Sequence, residues 1–134
     1  MPMITINEHE YRFDESQILN FAEGLIGLPE MRRAVLIPME DFAPFSWLAS
    51  IENDRPHFVV VDPNDIFLDY QTVASDLTDR PNMRTLAIVK ISSDWKKTTV
   101  NLRAPIFISP ETNDGAQLVL SDGKYGFEES IPQE

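Results

Sequence analysis

His9 and His57 are the chain's two histidines, and with no cysteine present a metal could be held only by these and carboxylates. No HxH or HExxH spacing brings them together. His9 falls between glutamates in a predicted hairpin turn, and His57 follows Pro56 at a predicted strand start, so both read as surface residues. Asp62, Asn64, Asp65 and Asp69 have the composition of a calcium loop. However, Phe67 stands where that loop needs its glycine and Pro63 breaks the pattern, so the stretch reads as a capped turn. The serines show no GxSxG elbow, and Gly24-Leu25-Ile26-Gly27 lacks the lysine and Ser/Thr of a phosphate loop. The acid pairs Glu40-Asp41 and Glu128-Glu129 flank predicted loops, where paired carboxylates are solvated. No catalytic, cofactor or metal site follows, and the reading is a non-enzymatic protein that works by binding.

Two segments carry that binding reading. Residues 21–29, Phe-Ala-Glu-Gly-Leu-Ile-Gly-Leu-Pro, set two glycines around an apolar pair. Glycine takes positive φ at little steric cost, so Gly24, Gly27 or both are expected there, in a sharp connector that presents Leu25 and Ile26. These two residues either stand exposed or fold back as a plug on one end of a small core. Residues 101–108, Asn-Leu-Arg-Ala-Pro-Ile-Phe-Ile, place a polar Asn-x-Arg step and a strand-stopping proline before a fresh apolar run. Asn101 is either a partner contact or a turn residue bonding its own backbone. Phe45 lies in an aromatic-rich connector, Asp41 to Trp47, that suits either an interface or the core. Leu25, Ile26, Phe45, Asn101, Arg103 and Pro105 are therefore the candidate partner-binding residues. A strand edge left open by Pro38 or Pro105 is a further place for an added strand.

The elements that must position these residues are short and β-prone. Ile4–Ile6 and Tyr11–Phe13 flank a polar turn and predict an opening hairpin. Further strands are predicted at Ile18–Phe21, Ala34–Pro38, Phe45–Ile51 and Phe58–Val61. Leu86–Ile91, Thr98–Leu102, Ile106–Ile108 and Gln117–Leu120 complete the set. Ten prolines leave little room for helix, with only Val73–Arg80 and one turn at Glu30–Arg33 as candidates. The fold class is thus all-β: a single barrel-like domain over residues 1–134, with at most two short helical segments. Its ordered core is expected over about 3–125, with an acidic tail from Glu128 that frays.

The chain has 134 residues, 43% of them apolar, and suits one compact domain with a real core. Absent cysteine excludes disulfide frameworks and thiolate chemistry and sits most easily with a reducing compartment. The N-terminus lacks the basic and apolar regions of a signal peptide, and no apolar run approaches the roughly 20 residues that span a bilayer. A cytoplasmic protein is expected. Net charge is −11, which repels phosphate backbones and anionic lipid and draws basic partners. Direct binding of nucleic acid or membrane is not expected.

Taken in order, the glycine-pair loop, Ala34–Pro38, Pro44–Ser50, Phe58–Pro63, Thr99–Ile106 and Ala116–Leu120 resemble the FliW family of bacterial flagellar assembly factors. The likeness runs from about Ile4 to Tyr125, and the Asn-Leu-Arg-Ala-Pro block followed by Gln-Leu-Val-Leu is its most specific part. Two features depart from it: Leu28 in place of an aromatic after the second glycine, and an acidic rather than basic ending. The resemblance implies a small cytoplasmic β-barrel without enzymatic activity or cofactor. It also implies two partners, flagellin, which is shielded before export, and the RNA-binding translational repressor CsrA. The repressor is bound when flagellin is absent, which relieves repression of flagellin mRNA. The alternative reading is a small β-barrel that takes a hydrophobic small molecule in its mouth.

Overall fold

The computed structural model describes residues 2–6, 8–51, 57–67, 83–120 and 125–131. Among these residues eleven strands form in chain order: β1 (Met3–Ile6), β2 (His9–Arg12), β3 (Leu19–Phe21), β4 (Arg33–Pro38), β5 (Ser46–Ser50), β6 (His57–Val61), β7 (Arg84–Lys90), β8 (Thr99–Val100), β9 (Ile106–Ile108), β10 (Asp114–Gln117) and β11 (Glu129–Ser130). β1 and β2 make a separate antiparallel ribbon, with Ile6 opposite His9 and Glu8 at φ 71 in the connection. His9 thus lies in a strand rather than in the turn, because the hairpin is tighter than its polar run suggests. Helix is confined to single 3-10 turns at Glu15–Gln17, Pro63–Asp65 and Trp95–Lys97 among the described residues. Asp14, Asp62 and Asp94 cap them, each accepting from a backbone N–H two residues on. Glu30–Arg33 makes no helical turn, since Arg33 opens β4, and Val73–Arg80 and Asp69 lie outside the described residues.

The sheet closes. From β7 the order runs β6, β5, β4, β3, β10 and β9, and β9 pairs back onto β7 through Leu86 and Ile106. Neighbours in this seven-strand ring are antiparallel except β10 and β3, which run parallel. β10 can approach β3 because Gly115 has no side chain: a Cβ there would stand 2.5 Å from the Phe21 ring. β7 is long enough to serve two partners along one edge, β9 on its first half and β8 at Val89 and Lys90.

Side chains alternate across each strand, so the ring has an inner and an outer face. Leu19, Phe21, Ala34, Leu48, Val60, Leu86, Ile106 and Ile108 share one cluster contributed from around the ring, which identifies it as the interior. The residues of opposite parity face outward and are covered by flanking segments. Ile4, Ile6 and Phe13 from the ribbon pack on Val35, Ile37 and Ala49. Burying each of these three contributes roughly 2 kcal/mol, which offsets the ordering of the ribbon. Val59, Val61, Ala87, Val89 and Phe107 are covered by Phe45, Leu102, Leu120 and Ile131.

Three expectations need correction. The predicted Gln117–Leu120 strand is displaced toward the N-terminus, ending at Gln117 where its partner Ile106 is preceded by Pro105. Proline has no N–H, so the regular ladder stops, although Leu118 still donates to the Pro105 carbonyl and Leu120 to that of Arg103. That bond and the pairing of β9 on both sides leave no open edge at Pro105, and Pro38 simply ends β4 opposite Ser46. The acidic ending does not fray over Glu128–Ile131: β11 pairs with β8, and Ile131 is buried in the outer core. Burial of one isoleucine outweighs the solvation of Glu128, while the half-buried Glu129 accepts from the Gly126 N–H; the Lys90–Glu128 ion pair, exposed at 3.8 Å, adds little.

Candidate functional site

The glycine loop is a tight turn. Leu25 and Leu28 exchange both backbone hydrogen bonds, at 3.0 and 2.8 Å, leaving Ile26 and Gly27 at the tip. Gly27 has φ 80 at the third turn position, which a type II turn reserves for glycine, and Gly24 has φ 69. Both glycines therefore take the positive φ expected of them. The choice between plug and exposed loop divides at one peptide bond. Leu25 is buried in the barrel interior with Met31, closing one end of the ring, whereas Ile26 is 56% exposed.

The Asn-x-Arg segment spans the gap between β8 and β9 along the edge of β7. Its Asn101 donates its N–H to the Ile88 carbonyl, and its side-chain oxygen accepts from the N–H groups of Arg103 (3.2 Å) and Ala104 (3.0 Å). This is the local turn role, and it lets the chain leave one strand and begin the next without stranding donors. Asn101→Ala removes that acceptor from two N–H groups, only one of which has another partner, the Gly126 carbonyl. A loss of about 2 kcal/mol in urea denaturation is expected, against well under 1 kcal/mol for an exposed asparagine elsewhere.

One side chain joins the two segments. Gln117 accepts from the Ile26 N–H at 2.9 Å and donates to the Ala104 carbonyl at 3.0 Å. From there an exposed belt runs along Leu118 and Val119. It continues to Arg103, whose Nε donates to the Leu120 carbonyl at 2.9 Å and whose guanidinium lies 5.8 Å from the centre of the Phe127 ring. Phe127 is 54% exposed. Ile26 and Arg103 thus reach the surface together. Leu25 and Pro105 lie buried behind them, and Asn101 is half-buried beneath the turn it caps. Phe45 is elsewhere: it is buried, stacked on Phe42 at 4.7 Å, with the Trp95 ring edge-on at 5.9 Å. Gln117, Leu118, Val119 and Phe127 are not among the candidate binding residues read from the sequence, where an apolar strand and an acidic tail account for them. Among the described residues no group of three or more His, Asp or Glu side chains is placed to hold a metal, and no helix is long and apolar enough to cross a membrane.

A closed barrel filled with its own side chains, with exposed apolar residues outside, defines a class: a small closed β-barrel with an apolar outer patch. A family model described as FliW protein matches residues 3–131. The flagellar assembly factor FliW of Clostridium beijerinckii is 30% identical over 138 aligned positions, covering 98% of each chain. That of Natranaerobius thermophilus is 36% identical, covering 87% of this chain and 82% of its own. A crystal structure of a flagellar assembly factor FliW superposes with a TM-score of 0.83 at 25% identity and 99% coverage of both chains. The chain belongs to the FliW family of flagellar assembly factors.

Proposed function

We propose that this chain acts in the bacterial cytoplasm as a flagellar assembly factor that exchanges partners. It binds flagellin and shields it before export. When free of flagellin it binds the translational repressor CsrA and relieves repression of flagellin mRNA. The observation that carries a binding role is the set of exposed apolar residues Ile26, Leu118, Val119 and Phe127, brought onto the barrel from distant parts of the chain, with the half-buried Arg103 over Phe127. Apolar side chains grouped at a surface mark a protein contact. The net charge of −11 supports a basic RNA-binding partner, since opposite fields speed encounter and bound negative charge weakens phosphate binding nearby. The filled interior speaks against a hydrophobic ligand in the barrel.

Titration of this protein into a CsrA–RNA complex tests the reading. RNA release is expected, suppressed by added flagellin. Association is expected to be slower at high salt, because the Debye length is already only about 8 Å at physiological ionic strength. Direct RNA binding by this chain, or no effect on the complex, overturns the repressor part.

A further inference from the structure

We propose that Arg103 and Phe127, with Leu118 and Val119 beside them, form a receptor for an Asp or Glu carboxylate carried on an apolar segment of flagellin. This rests on the flagellin reading above and goes beyond it by naming the chemical group that is read. Arg103 is held through Nε on the Leu120 carbonyl, and its guanidinium carbon lies over the Phe127 ring, 5.8 Å from its centre. Neither contact uses the two Nη groups, and no carboxylate among the described residues pairs with them. In a chain with 22 acids and 11 bases, a half-buried guanidinium held among the described residues by a carbonyl and a ring, rather than by an acid, stands out.

Its geometry suits one ligand. The Nη edge, unpaired among the described residues, matches a carboxylate in a paired, planar contact that a lysine would not reproduce. Phe127, Val119 and Leu118, exposed by 54%, 50% and 38%, supply apolar ground on which the partner's neighbouring side chains settle. They also displace water and so strengthen the charged contact. A polyanion such as RNA is repelled strongly by the rest of the surface, whereas a single carboxylate in an apolar segment is repelled far less. A basic RNA-binding protein is drawn instead to the acids that dominate the chain. The carboxylate receptor therefore fits flagellin.

The test is calorimetric titration of monomeric flagellin into the unaltered protein, Arg103→Glu and Val119→Asp. Arg103→Glu is expected to weaken binding by roughly 30-fold or more, the loss seen when a central charged anchor is removed. Val119→Asp leaves the Arg103 contacts in place and sets a charge on the apolar ground next to Leu120, whose carbonyl holds the guanidinium. A loss of about tenfold is expected from it, and it serves if Arg103→Glu does not fold. Flagellin variants, each with one acid changed to arginine, are then titrated into Arg103→Glu, and one of them should restore binding. Absence of binding by the unaltered protein overturns the flagellin reading itself. Normal binding by the unaltered protein together with undiminished binding by the variants overturns the carboxylate receptor alone, as does failure of every charge reversal to rescue.

Discussion

Gly24→Ala is expected to destabilise the protein by about 3 kcal/mol, while Gly27→Ala, three residues on, loses about 1 kcal/mol. Both positions have positive φ, at 69 and 80, so a side chain at either meets the left-handed penalty of roughly 1–2 kcal/mol. They differ in what surrounds them. A Cβ on Gly24 would stand 2.5 Å from the Pro29 carbonyl oxygen and 2.6 Å from that of Leu28, whereas a Cβ on Gly27 meets nothing within 4 Å. Backbone oxygens cannot step aside as a flexible side chain can. Relief of the clash at Gly24 must open the turn that seats Leu25 in the barrel interior, which adds an overpacking loss of roughly 1–3 kcal/mol. Urea denaturation of the two variants checks this. Equal losses would mean that the close approach at Gly24 is not a constraint.

Ile131→Asp is the second substitution with a large expected effect, about 3 kcal/mol. Ile131 is 7% exposed against an outer core that includes Val100, Leu102 and Leu120. A carboxylate there would lie among apolar side chains, so the chain relieves it by undocking β11. Undocking withdraws the Gly126 carbonyl from the N–H groups of Leu102 and Arg103, at 3.2 and 3.1 Å, and takes the Phe127 ring from the guanidinium. Hydrogen exchange at Leu102 and Arg103 should accelerate with the stability loss, and flagellin binding should fall with it. A change within about 0.5 kcal/mol, with exchange unaltered, would show that the tail frays as its composition suggests.

That contrast shows what was legible in residues 1–134 and what was not. The all-β class, most strand positions, the Asp62 cap and the two positive-φ glycines rest on local terms: side-chain alternation, turn chemistry and permitted φ. Each is decided by residues a few positions apart, and a sequence displays those directly. Ring closure, the split of Leu25 inward from Ile26 outward, and the docking of Ile131 are not of that kind. Gln117 meets the loop at Ile26 across 91 residues, and Arg103 holds the Leu120 carbonyl across 17. Such contacts depend on which strand β9 and β10 choose as neighbours, a choice made by the whole core at once. The sequence by itself therefore determined most of the strands and the turns. Only the tertiary structure decided that Gln117 joins the glycine loop to the Asn-x-Arg segment, and that Phe127 covers Arg103, because burial of Ile131 draws the acidic tail back onto the barrel.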